Sequence, residues 1–242
     1  MAKAKHQNKA SLLWDSTLEI PTSNPKLEDN PILSNLPYSL RQTLESLAIP
    51  LNQYPAICGI DEAGRGCIAG SLFVCGVLLN NPPNSLLNQL KDSKVLSQNT
   101  RDSLAEQIKQ HANFHLVQSS ANKIDKKGLS ACIKESLQEI LEALNAPFFV
   151  FDGNCNFKIP HLKTLIKGDS KLHAISAASI LAKSAKDAEM LTLDKEYPQY
   201  GFAHNKGYGT KAHLSAIKQY GFCKIHRKSY HIQSLTNIPS LF

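Results

Sequence analysis

The chain has 242 residues, 42% of them hydrophobic and 19% charged, with a formal net charge of +7. This balance excludes an intrinsically disordered chain, and 12 glycines with 12 prolines exclude a collagen-like or low-complexity one. No run approaches the ~18 apolar residues of a bilayer span, and the first residues lack the apolar stretch of a secretory signal, so a cytoplasmic protein without membrane contact is expected.

Residues 1–54 read as a partly irregular extension with prolines at 21, 25, 31, 37 and 50, and one short helix from Leu40 to Ala48 whose Leu40, Leu44 and Leu47 share a face. From Ala56 the pattern changes. AICGID is a short buried strand that ends in acid and is followed by the glycine-rich GRGCIAG. SLFVCGVLL is a second strand, closed by the loop NNPPNS. SLAEQIKQHA reads as a helix and NFHLVQSSA as a strand. In residues 129–144, Leu129, Ile133, Leu137, Ile140, Leu141 and Leu144 fall at helical spacing. APFFVFDG and LKTLIKGDS are two more strands that run into acid and glycine. Ala174, Ala177, Ala178, Leu181, Ala185 and Ala188 form a stripe of 3.6 period, with Ser170 near its N-cap. A loop, YPQYGFAHNKGYGT, precedes a short helix from Ala212 to Gln219 and a basic tail. Strands mixed with helices predict an α/β domain with a central sheet.

The charge is unevenly placed. Lys and Arg against Asp and Glu give five against five in residues 1–54, nine against ten in 55–154 and thirteen against five in 155–242, so the last third carries +8. Clustered Lys and Arg attract polyanions. The six cysteines, at 58, 67, 75, 132, 155 and 223, include no C-x-x-C pair and read as reduced thiols rather than staples or zinc ligands.

Asp61 with Glu62, Asp152 and Asp169 recur in one context: each follows β-forming residues and adjoins or approaches glycine. A lone acid there merely ends a strand. Several gathered at one sheet edge are costly unless a cation offsets them. Oxygen ligands suit Mg²⁺, and two ions about 4 Å apart can assist both oxygens of a phosphodiester displacement. Neighbours on a regular strand face opposite ways, so both Asp61 and Glu62 reach one site only if the chain turns at once. Gly64 and Gly66 predict such a turn, with Asp61 the better-placed ligand. GRGCIAG is not a dinucleotide loop, because a strand rather than a helix follows it, and the chain lacks the phosphate loop of a helicase.

The segments GIDEAGRG, LKDSKVLS, FDGN, IKGDSKLHAISAASILAKSAKDAEM and YPQYGFAHNKGYGT together resemble the ribonuclease HII family over about residues 56–230. The resemblance implies a ribonuclease H-like fold, a five-stranded mixed sheet flanked by helices with a helical C-terminal part. It assigns 55–230 to the catalytic domain and 231–242 to a tail. It implies an endoribonuclease that cuts the RNA strand of RNA–DNA hybrids and the bond 5′ to single ribonucleotides in duplex DNA, leaving 3′-hydroxyl and 5′-phosphate ends. Mg²⁺ or Mn²⁺ is the implied cofactor, as a two-metal site. One ion activates water and the other stabilises the leaving oxygen.

The family's four catalytic acids fall on Asp61, Glu62, Asp152 and Asp169. Its ribose-sensing G-R-G falls on Gly64, Arg65 and Gly66, and its junction-reading tyrosine on Tyr208. Lys94, Lys167, Lys183, Lys206 and Arg227 are candidate phosphate contacts, and Asp187 is a structural partner. Cys67, Ser71 and Lys186 depart from the family pattern, with consequences expected in loop stiffness or an ion pair. Two rivals are a related-fold nuclease for branched DNA, which needs no ribose sensor, and a hybrid-binding protein without turnover. A monomer is expected. The terminal Ser-Leu-Phe resembles the end of a sliding-clamp peptide with Leu241 and Phe242 as anchors, although Ile238 and Pro239 depart from that motif.

Overall fold

In the computed structural model, which describes residues 36–91 and 96–231, the apolar runs pair into a five-stranded sheet of order β3-β2-β1-β4-β5. At its centre β1 (Ile57–Ala63) is antiparallel to β2 (Leu72–Leu79) and parallel to β4 (Phe148–Asp152). Outside these, β3 (Ala112–Ser119) lies antiparallel to β2, and β5 (Leu162–Leu165) parallel to β4. Because β1, β4 and β5 run the same way, their carboxyl ends share one edge of the sheet. That edge carries the acids.

Helices cover both faces. Cys58, Ile60, Leu72 and Val74 pack against α4 (Ala121–Lys127) and α5 (Leu129–Ala143) through Ile124, Ile133, Leu137 and Ile140. On the other face, Ala63, Phe73, Cys75 and Val77 meet α2 (Asn84–Lys91), α3 (Gln98–Gln110) and α6 (His173–Glu196). The small residues of α6 let its backbone lie directly on the sheet: a Cβ at Gly59 would stand 2.2 Å from the Ile175 amide nitrogen. Only glycine fits there. Beyond α6, the short α7 (Phe202–Asn205) and α8 (Lys211–Tyr220) close around Ile68, Met190, Tyr200, Phe202 and Ile217.

The structure corrects several expectations. The helix α1 (Tyr38–Ser46) packs by Leu40 and Leu44 within a compact unit that begins at Pro37. NNPPNS is only partly loop. Pro83 accepts from the Leu86 amide and starts α2, as proline suits the first turn of a helix. The unpredicted α4 starts at Ser120, whose hydroxyl accepts from the Lys123 amide, and stops at Gly128. Ser170 does not cap α6; its hydroxyl donates to the Lys167 carbonyl. The small-residue stripe holds through Leu181, but Ala188 is exposed. The buried line continues instead through Lys186, Asp187 and Met190. Among the described residues, no helix is long and apolar enough to cross a membrane.

Candidate active site

The expected immediate turn does not occur. β1 stays in register with β2 through both acids, Asp61 opposite Cys75 and Glu62 opposite Val74, and bends only after Ala63. The sheet ladder is stronger than the glycines that follow it. Asp61 therefore faces α6, where the nearby Ser179 favours its charged form, and its Oδ1 accepts from the Glu62 amide at 2.7 Å. Glu62 Oε1 takes the Arg65 guanidinium at 3.2 Å. Asp152, at the end of β4, accepts from the Gly168 amide at 3.1 Å and the Asp169 amide at 3.2 Å. The turn after β5 is thus fastened to the end of β4, and Asp169 stands beside Asp152.

These carboxylates feel one another. Burial first, then the charges of Glu62 and Asp152, push Asp61 up to about 8 against the relief given by Ser179. Burial also raises Glu62, and Asp152 adds to the effect while Arg65 opposes it. Glu62 Oε2 is buried with no hydrogen-bond partner. Buried oxygen acceptors that lack donors are what a hard divalent cation satisfies. The donor set fits such an ion in kind. The side chains are engaged instead with Arg65 and backbone amides, and among the described residues no three acidic, histidine or cysteine groups stand together closely enough to hold an ion.

The GRG loop adjoins the acids. Gly64 has φ +91°, and a Cβ there would stand 2.7 Å from the Ser71 carbonyl oxygen. The loop is tied down by Ile68 and Ala69, whose amides donate to the Gly207 carbonyl at 2.8 and 3.2 Å, and by Gly70, whose amide donates to Ile225 at 2.8 Å. Among the described residues no acceptor pairs with the backbone amides of Arg65 and Gly66. Tyr208 is 44% exposed beside them, its Cε1 3.8 Å from where a Gly66 Cβ would lie. Cys67 supports this arrangement from below by donating its thiol to the Lys206 carbonyl at 3.4 Å.

The basic candidates divide. Lys94, like Leu241 and Phe242, lies outside the described residues. Lys183 pairs with Asp187 at 2.7 Å, and Arg101 takes the other oxygen of that buried carboxylate, also at 2.7 Å, so Asp187 is the structural partner expected. Lys206 donates to Gln98 at 3.2 Å, and Lys167 is exposed. Arg227 overturns its expectation as a surface phosphate contact: it is fully buried, spent on backbone carbonyls of the GRG loop. Lys186 is buried too and donates to Glu189 at 3.0 Å and to the Ala69 carbonyl at 3.2 Å. Glu189 in turn receives the Ser71 amide and hydroxyl, so two of the departures, Ser71 and Lys186, form one network.

Sequence reasoning missed Ser179, Tyr230 and a buried histidine pair. Ser179 sits four residues after Ile175 on the α6 face that rests on β1, a spacing that could have flagged it. In the pair, His213 Nε2 lies 3.0 Å from His226 Nε2. His213 Nδ1 reaches the Tyr208 carbonyl at 2.8 Å, so that nitrogen carries its proton. His226 Nδ1 accepts from the Cys223 amide at 2.9 Å, so His226 donates through Nε2. Both rings are therefore neutral.

A sequence model of the ribonuclease HII family matches residues 58–233. The ribonuclease HII of a Sulfurovum strain is 43% identical over 191 residues, covering 79% of this chain and 99% of that protein. That of Campylobacter hominis is 48% identical over 185 residues, covering 75% and 97%. Among solved structures, the ribonuclease HII of Archaeoglobus fulgidus, determined in complex with PCNA, has a TM-score of 0.63 at 28% identity and covers 71% of this chain and 92% of its own. Sheet order, acid placement and this similarity converge: the chain belongs to the ribonuclease HII family of endoribonucleases.

Proposed function

We propose that the protein hydrolyses the RNA strand of RNA–DNA hybrids and the phosphodiester 5′ to single ribonucleotides in duplex DNA, leaving 3′-hydroxyl and 5′-phosphate ends. The observation that carries this reading is a juxtaposition. Asp61 and Glu62 end the strand whose next residues are the GRG loop, and Tyr208 lies against that loop. An acidic edge thus adjoins the loop and ring that would contact the ribose.

Asp61, Glu62, Asp152 and Asp169 would hold Mg²⁺ or Mn²⁺. Bound there, a pair of such ions supplies Lewis-acid stabilisation of charge on the oxygens of the displacement. The amides of Gly168 and Asp169 orient Asp152, and the Glu62 amide orients Asp61. The amides of Arg65 and Gly66 would meet the 2′-hydroxyl, the group that separates RNA from DNA at a site. Tyr208 would pack on the next deoxyribose, where a second hydroxyl would crowd its ring. Lys183 and Lys206 flank this surface as phosphate contacts, each already positioned by Asp187 or Gln98.

The unpaired cysteines support a reducing, cytoplasmic setting. The PCNA complex of the archaeal relative supports a weak sliding-clamp contact through Leu241 and Phe242. The deciding experiment is cleavage of duplex DNA carrying one ribonucleotide, with Mg²⁺ and with Mn²⁺, mapped to the nucleotide. A cut 5′ to the ribose is expected. Cleavage that persists when that ribose is replaced by deoxyribose would overturn the reading.

A further inference from the structure

The GRG loop is held from beneath by a segment about 160 residues away in sequence. Arg227 donates through Nε to the Gly70 carbonyl at 3.0 Å and through Nη1 to the Arg65 carbonyl at 3.3 Å. The Tyr230 hydroxyl donates to the same Arg65 carbonyl at 3.1 Å and accepts from Arg227 Nη1 at 2.9 Å. The backbone of the segment pairs with the loop as well: the Arg227 amide donates to Ile68 at 2.8 Å, and Ala69 bridges His226. The far end of the segment is pinned to α4, because Asp125 accepts from the amides of Lys228 and Ser229, both at 3.0 Å.

These bonds have one direction. The carbonyls of Arg65 and Gly70 are pulled inward onto a buried cation. A peptide plane is rigid, so fixing the Arg65 carbonyl fixes the Gly66 amide on its opposite edge. The Gly66 Cα lies beside Tyr208, and its amide has, among the described residues, no protein acceptor. The guanidinium is suited to this because its planar fork sets two acceptors at a fixed separation, which an ammonium cannot do. It is also a costly choice: Nη2 is buried without a partner. A residue without the fork would leave the Gly70 carbonyl without this donor and the Arg65 carbonyl held by Tyr230 alone.

We propose that Arg227, with Tyr230, is a positioning residue for ribose discrimination: it holds the Arg65–Gly66 peptide in the orientation that presents an amide to the 2′-hydroxyl. This rests on the reading that the GRG loop senses that hydroxyl. Arg227 is fully buried and acts from beneath the loop rather than on the nucleic acid. Their effect should therefore appear in the preference for ribose and not in general duplex binding.

The test is equilibrium binding of the full-length protein in EDTA, which prevents turnover, to a DNA duplex with one ribonucleotide and to its all-DNA twin. The wild type should prefer the first. Arg227→Lys keeps the charge and loses the fork, and should reduce that preference at least about threefold while leaving all-DNA binding within about twofold. Tyr230→Phe removes only the hydroxyl and should reduce the preference less, in the same direction. A merely structural role would lower binding to both duplexes together, or lower the melting temperature with the preference intact. Preference unchanged in folded Arg227→Lys overturns the proposal. If that variant does not fold, Tyr230→Phe decides in the same way. A wild type with no preference would overturn the ribose-sensing reading itself, a failure distinct from an unmoved variant.

Discussion

The acidic edge and the GRG loop lie side by side and are built in opposite ways. The edge is a product of the sheet. Asp61, Glu62 and Asp152 end two hydrogen-bonded parallel strands, and Asp169 follows the third in a turn whose amides bond Asp152, so strand order and one turn bring all four to the same edge. The loop is assembled from three segments, 64–70, 206–210 and 223–230, joined by hydrogen bonds over some 140 to 165 positions of sequence. The proposed chemistry thus rests on the sheet, while the proposed discrimination rests on a patchwork of backbone contacts. Changes at the edge should affect rate with the fold intact. Changes around the loop should mix selectivity with stability.

The sharpest break is at the edge. Asp152→Asn keeps the size and one oxygen acceptor for the amides of Gly168 and Asp169 but removes the charge. Cleavage should fall at least about a thousandfold, ~4 kcal/mol of barrier, with hybrid binding retained. Single-turnover assays and a binding titration on the same preparation check both halves. Residual activity above about a tenth of wild type, ~1.4 kcal/mol, would contradict the assignment of Asp152.

The loop side should answer to acid through its histidines. Burial first, then the neighbouring His213, holds His226 down at about 4, and burial lowers His213 as well. In the unfolded chain a histidine titrates near 6.5. Between those values the unfolded chain binds a proton that the folded protein refuses. Stability from this pair is therefore complete above pH ~6.5 and declines as pH falls toward 4, by up to about 3 kcal/mol. Asp61, held high, contributes the opposite slope, so the measurement is a difference. Wild type and His226→Gln are melted from pH 7.5 to 4.5, and the wild type should lose more on acidification. Parallel curves would remove the neutral histidine pair from the account.

Gly64 joins the two regions. Its φ is +91°, and a Cβ added to it would lie 2.7 Å from the Ser71 carbonyl oxygen, so Gly64→Ala is strained twice over. A loss of about 2 kcal/mol is expected, read as a lower urea midpoint at unchanged slope.

The same contrast explains what could be read from the sequence. Strand runs ending in acid marked the edge, because apolar segments followed by Asp and Gly are local signals. The path of Glu62 was misjudged, since glycines at 64 and 66 hint at a turn but cannot weigh it against a ladder that reaches Ala63. Arg227 was misplaced for a different reason. A basic residue in a basic tail looks solvated, and its burial depends on carbonyls at 65 and 70 that no local pattern connects to it. The histidine pair is hidden in the same way: His213 and His226 are ordinary helix and loop residues until the fold places them 3.0 Å apart.

The smallest and most discriminating effect belongs to Tyr208. Its ring is half exposed, but its backbone is committed: the amide donates to Asn205 at 2.9 Å, and the carbonyl accepts from Thr210 at 2.8 Å and from His213. Tyr208→Ala leaves that backbone framework in place and deletes only the flat face beside Gly66. A single embedded ribonucleotide always presents an RNA-to-DNA junction, whereas a long hybrid offers many sites with ribose on both sides. The variant should therefore lose about tenfold more activity on the single ribonucleotide than on the long hybrid, a difference of ~1.4 kcal/mol. Tyr208→Phe should stay near wild type, since the contact needs the ring and not the hydroxyl. Equal losses on both substrates would make Tyr208 a support of the loop, and the reading of the junction would have to come from elsewhere on that surface.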